Sequence, residues 1–161
     1  MRFMRHSRLL VLLVAGSAAF GQQGTAPTHS PQTKVDVEKL LTVQELESIG
    51  GRTVKRTVND QGIRFTTAEQ VMGAPADFDS LIVTLLPPLP DWAGWARGNG
   101  LETRVGGLGD DARQDNTKLV LAFRKGNRIV MLQTLKELYY NKPYFSPDQP
   151  RELGKLIASR L

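Results

Sequence analysis

Residues 117–135 read TKLVLAFRKGNRIVMLQTL. Two runs, Lys118 to Arg124 and Arg128 to Leu135, flank Lys125-Gly126-Asn127, a compact hairpin loop. In an extended run, neighbouring side chains face opposite ways. Leu119, Leu121 and Phe123 then point to one side, and Val120 and Ala122 to the other. The partner run sets Ile129 and Met131 against Val130 and Leu132. An antiparallel strand wet on one side alternates apolar and polar residues; these two runs do not, so both faces need cover.

The covering material lies on either side in the chain. The stretch VDVEKLLTVQELESIGG places Val37, Leu40 and Leu41, then Val43, Leu46 and Ile49, at helical spacing. Thr42 with Glu45 has the form of a capping box, so a helix starts or restarts there. Gly50-Gly51 supplies the stop. PRELGKLIASRL carries Leu153, Leu156, Ile157 and Leu161 on one stripe, with Asp148 and Pro150 suited to its start. DWAGWARGNG reads as a short helix closed by Gly98 or Gly100. RTVKRTV and IRFTTAE flank the turn NDQG and alternate charge with apolar residues, which predicts an edge hairpin. SLIVTLL, Ser80 to Leu86, is a strand apolar on both faces that PPLP ends. The expected fold is α+β, an antiparallel sheet between helical layers, an α/β/α sandwich over residues 35–161.

The stretch before residue 35 reads differently. Arg2, Arg5 and Arg8 precede an apolar run from Leu9 to Phe20, and no acid occurs before Asp36. Ala19-Phe20-Gly21 fits a small-x-small cleavage site, which predicts a secretory signal peptide over residues 1–21. The run is shorter than the roughly 20 residues that span a bilayer, and no other stretch is long and apolar enough, so no transmembrane segment is expected after cleavage. No cysteine stands at the cleavage point, and MRHSR lacks paired arginines. A Sec substrate, periplasmic or secreted and not a lipoprotein, is the expectation. QQGTAPTHSPQT then forms a disordered tether over residues 22–34. Loss of the three arginines lowers the formal charge from +5 to +2, so the basic balance belongs largely to the leader and predicts no nucleic-acid partner.

The chain has no cysteine, and its histidines are His6 in the leader and His29 in the tether. Ser-His-Asp and Cys-His catalysis then have no base in the folded part, and zinc has no His or Cys ligands there. Carboxylate-pair hydrolysis stays formally open through Asp77, Asp79, Asp91 or Glu102, which read as solvated acids. We expect no enzyme, no cofactor and no metal.

GGLGDDAR, Gly106 to Arg113, allows three readings. A phosphate loop leads into a helix and carries Lys-Ser/Thr; this stretch leads to a strand and does not. A calcium site could draw on Asp110, Asp111, Asp115 and Asn116, but the EF-hand spacing is absent. The third reading is a structural turn, with Gly106, Gly107 and Gly109 free to take positive φ and Asp110 bonding the backbone.

GLGDDAR, followed by LVLAFRKGNRIVML and a terminal ELGKLIASRL, resembles small exported bacterial domains of the PsbP-like type. LLTVQELESIGG resembles their opening helix, and the likeness covers most of Val37 to Leu161. Relatives often carry a cysteine in the second strand region, which this chain lacks. The resemblance implies the same sandwich and a role as an accessory, sensor or binding domain; it implies no catalytic residue.

Two aromatic clusters are the candidate binding surfaces. Trp92 and Trp95, spaced i, i+3, share one face of a short helix, with Arg97 and Arg104 near in sequence. They form either a lid on the sheet or a rim exposing one aromatic. YYNKPYF supplies Tyr139, Tyr140 and Tyr144, either as a cover on the sheet edge or as a second surface. Arg124, Lys125 and Arg128 crowd the hairpin tip, solvated or able to meet anionic lipid. The functional expectation is an exported, non-catalytic interaction or accessory module of the cell envelope, whose partner is an unknown envelope protein or a small ligand. The alternative is a periplasmic protein that binds a small apolar or lipid-like ligand.

Overall fold

Among the described residues, seven antiparallel strands form one sheet, in the order β1-β2-β3-β7-β6-β5-β4. The computed structural model describes residues 35–71, 73–136 and 143–161; the leader, the tether, Tyr139 and Tyr140 lie outside these. The strands are β1 (Lys55–Asn59), β2 (Gly62–Val71), β3 (Ala74–Leu86), β4 (Thr103–Arg104), β5 (Asp111–Gln114), β6 (Val120–Lys125) and β7 (Arg128–Thr134). The helices are α1 (Val43–Gly50), α2 (Trp92–Gly98) and α3 (Gln149–Ala158), with a 3-10 turn at Val37–Lys39. The protein is thus mixed α+β. Two meanders, β1-β2-β3 and β4-β5-β6-β7, join where β3 pairs β7 from Leu81↔Thr134 to Leu86↔Ile129.

The quoted hairpin sits inside the sheet. Lys125 pairs Arg128, which leaves Gly126 and Asn127 as a two-residue loop. Gly126 takes φ +58, a conformation glycine adopts without a Cβ clash. Strand β6 begins at Val120, two residues later than the apolar run. Asp115 accepts from the Val120 amide at 2.9 Å, and Lys118 turns the chain at φ +60.

The two faces of β6 and β7 enter two different cores. Leu121, Phe123, Val130 and Leu132 join Ile63, Phe65, Leu81 and Val83 beneath Leu46 of α1 and Leu153 and Ile157 of α3. Ala122 and Ile129 face the other way and meet Trp92 and Ala96 of α2, with Leu101. Topology explains the placement of α2. The chain leaves β3 at the middle of the sheet and re-enters at β4, the far edge, so the connection crosses the face over β6 and β7.

Local chemistry sets the helix ends. The Thr42 hydroxyl accepts from the Glu45 amide, while the Glu45 carboxylate accepts from the Thr42 amide at 2.9 Å: the capping box forms. Gly51, at φ +67, closes α1. The helical spacing from Val37 to Leu41 yields only the 3-10 turn, because the box starts a separate helix at Val43. Asp148 precedes α3, yet its side chain makes no cap bond; its carbonyl accepts from Arg151 and Glu152, and Gln149 Oε1 accepts from Ser146.

Three further strands differ from the sequence expectation. Strand β3 starts at Ala74, six residues before Ser80, and pairs β2 along a long ribbon. Its acids and Pro75 disguise the strand, and Pro75 is tolerated because this half of β3 has β2 alone as neighbour. Strands β4 and β5 rise on either side of the GGLGD turn, too short for periodicity to show. Ser80 is an extra residue between the pairs Phe65↔Leu81 and Thr66↔Asp79, and its hydroxyl donates to the Phe65 carbonyl at 3.2 Å.

Candidate functional site

The GGLGDDAR stretch is a turn that clamps the hairpin tip. The Asp110 amide donates to the Arg124 carbonyl at 2.7 Å, and Asp110 Oδ2 accepts from the Gly126 amide at 2.6 Å. Gly109 takes φ +59, and a Cβ there would lie 2.3 Å from the Arg124 carbonyl oxygen. Gly107 takes φ +73. Between them Leu108 is buried against Gly154 of α3, where an added Cβ would meet Leu108 at 3.0 Å. The carboxylates of the calcium reading are directed apart: Asp110 to Gly126, Asp111 to Trp92, Asp115 to Val120. Among the described residues no group of three His, Cys, Asp or Glu is placed to hold a metal ion.

Trp92 is 4% exposed and lies on Ala122 and Ile129. Its indole N–H donates to Asp111 Oδ2 at 2.7 Å. Trp95, half-buried, stacks on it with ring centroids 5.5 Å apart at 22°. Asp91 holds the start of this short helix by accepting from the Gly94 amide at 2.8 Å. Arg97 and Arg104 are both exposed. Tyr144 is on the other face of the sheet, buried with Phe145 in the core under α1 and α3. Its hydroxyl donates to Glu69, and the Arg52 guanidinium lies 4.9 Å over its ring. Burial, then the Glu69 carboxylate, pushes the Tyr144 phenol above its ordinary pKa. The structure therefore joins Trp92 with Trp95 and separates both from Tyr144.

A charged cluster underlies α2. Strand period puts Asp111 and Arg113 on the same face as Ala122 and Arg124. Arg113 is 8% exposed, and its Nε lies 3.6 Å from Asp111 Oδ2, the oxygen that receives the Trp92 N–H. Register sets Arg124 opposite Asp111 and Arg104 opposite Arg113. The Nε atoms of Arg113 and Arg124 are both buried without a hydrogen-bond acceptor. Beside the start of α2, a groove of about 330 Å³ runs between Pro88-Leu89-Pro90 and the hairpin tip, with Arg124 and Ile129 in its wall. Sequence reasoning passed over this cluster, because it needed β5 as a strand; the alternation Asp111-x-Arg113 was the available signal.

Of the other two cations expected to be solvated at the hairpin tip, Lys125 is engaged: it donates to the Ala158 carbonyl at the end of α3, 2.5 Å away. Of the acids considered for hydrolysis, Asp77 pairs with Lys55 at 3.1 Å and Asp79 with Arg64 at 3.5 Å, Asp91 caps α2, and Glu102 is exposed. No described helix is long and apolar enough to cross a membrane.

These features define a mixed α+β protein, with a seven-stranded antiparallel sheet and three helices among the described residues, carrying an aromatic and arginine cluster on one face. No protein-family model, no curated protein and no solved structure matches the chain.

Proposed function

We propose that the chain is an exported, non-catalytic interaction or accessory module of the cell envelope, built as an α/β/α sandwich of the PsbP-like type. Export rests on the basic, apolar and small-residue pattern of residues 1–21. The sandwich reading draws support from helices α1 and α3 packing on one face and α2 on the other. The observation that carries the interaction reading is the stacked Trp92–Trp95 pair. Trp92 is locked by the sheet and Asp111, so Trp95 is presented on a rigid base with exposed Arg97 on the same helix. Rigid aromatics beside arginine are the residues that dominate binding energy at protein interfaces.

The test is native mass spectrometry of the protein isolated from its own envelope, beside Trp95→Ala. A protein-sized added mass, lost in the variant, is the expected result. Enrichment of no protein from envelope extract counts against the module. A second reading, a small-ligand binding protein, is favoured by the groove beside α2. It predicts an added mass of small-molecule size and a change in tryptophan fluorescence on binding.

A further inference from the structure

We propose that the groove beside α2 binds a small amphipathic carboxylate, with its carboxylate on the guanidinium of Arg124. The inference rests on the ligand-binding reading and names the ligand class. Charge is the first argument. On this face Asp111 is the carboxylate within ion-pair distance of Arg113, and it also serves the Trp92 indole. Arg124 makes no ion pair among the described residues, and its Nε–H is buried without an acceptor. A partly desolvated cation without a counter-ion is costly, and an anion in the groove offsets that cost. A guanidinium fork matches a carboxylate through two parallel bonds.

The lining is the second argument. Pro88, Leu89 and Pro90 line one side of the groove and Arg124, Gly126 and Asn127 the other, so an apolar side meets an alkyl or aryl body while a polar side meets its charged end, a combination that a doubly charged, strongly hydrated phosphate does not use. The volume of about 330 Å³ sets the size. It stands at the low end of the roughly 300–1,000 Å³ typical of ligand pockets, so the body is short. Leu89 also packs into the cluster that holds Trp92 and Trp95. Occupancy is therefore transmitted to the tryptophan pair.

The test is thermal unfolding of the full chain titrated with octanoate, 1-octanol and inorganic phosphate, for the native protein, Arg124→Met and Arg124→Lys. Octanoate is expected to raise Tm saturably in the native protein, while 1-octanol and phosphate do not. Arg124→Met keeps the apolar stem and removes the charge. Its Tm without ligand is expected to equal or exceed the native value, and the octanoate shift to vanish. Arg124→Lys keeps the charge without the fork and is expected to weaken octanoate binding about tenfold. Equal shifts with 1-octanol or phosphate, or an undiminished octanoate shift in Arg124→Met, overturn the proposal. A flat octanoate titration overturns it too. If another small molecule is then found on the native protein, the ligand-binding reading survives and the carboxylate class alone falls.

Discussion

At the scale of single residues, two glycines at nearly the same φ carry different burdens. Gly109 and Gly126 lie at +59 and +58. Nothing lies within 4 Å of a Cβ built at Gly126, whereas at Gly109 the Arg124 carbonyl lies 2.3 Å away and the Phe123 ring 3.3 Å away. Gly126→Ala therefore bears only the conformational cost, about 1 kcal/mol, and Gly109→Ala adds a backbone clash that brings the loss to about 3 kcal/mol. Urea unfolding checks this through the midpoint at unchanged slope: a larger fall for Gly109→Ala is expected, and equal falls would contradict the clash. The glycines were legible as turn residues. That one of them presses on the neighbouring strand was not, because the contact spans fifteen positions of chain.

Among the elements, the joint between α1 and α3 is electrostatic at its edge. Arg160 bonds the Glu45 carboxylate and the Lys39 and Leu40 carbonyls, the latter two at 3.1 and 3.0 Å. Glu45 also serves the capping box. The Arg160 bond, helped by the Thr42 amide and hydroxyl, lowers its pKa from 4.5 to about 2. The folded value lies below the unfolded one, so the stabilisation is fully present above about pH 4.5 and is lost as pH falls towards 2. With a quarter of the side chain exposed, solvent screening reduces the effect to about 1–2 kcal/mol. Glu45→Gln is expected to be less stable than the native protein by that amount at pH 6, and the gap to close near pH 2. Unfolding curves across that range decide it, and a gap independent of pH would assign the loss to capping geometry alone. The box was readable from the spacing Thr42-x-x-Glu45. The partner from the last turn of the chain was not, since no local pattern links positions 115 residues apart.

For the whole molecule, the sheet order predicts an uneven distribution of stability. Strands β3, β7 and β6 are central, and β6 and β7 are covered on both faces. Strand β1 and the two-residue β4 are edges. Helix α2 has seven residues and rests on the smaller cluster. Hydrogen exchange is therefore expected to be slowest in β3, β6 and β7 and faster in α2, β1 and β4, because local opening follows the buried contacts an element must break. Protection in α2 equal to that in β7 would show that the tryptophan cluster opens only with global unfolding.

The sequence by itself determined the elements whose signals are local. The hairpin at 117–135 is read from two apolar runs around Gly126-Asn127, α1 from its cap and stop, and α3 from its stripe. The demand for cover on both faces of that hairpin also follows from composition alone. The tertiary structure decided what depends on register. It placed β4 and β5, two and four residues long, by pairing β5 to β6 and β4 to β5 rather than by any period of their own. It extended β3 through a proline and two acids because β2 lay beside it. It set Asp111, Arg113, Arg124 and Trp92 together, since side-chain proximity across strands is fixed by alignment, and alignment is settled only when the two cores close around the sheet.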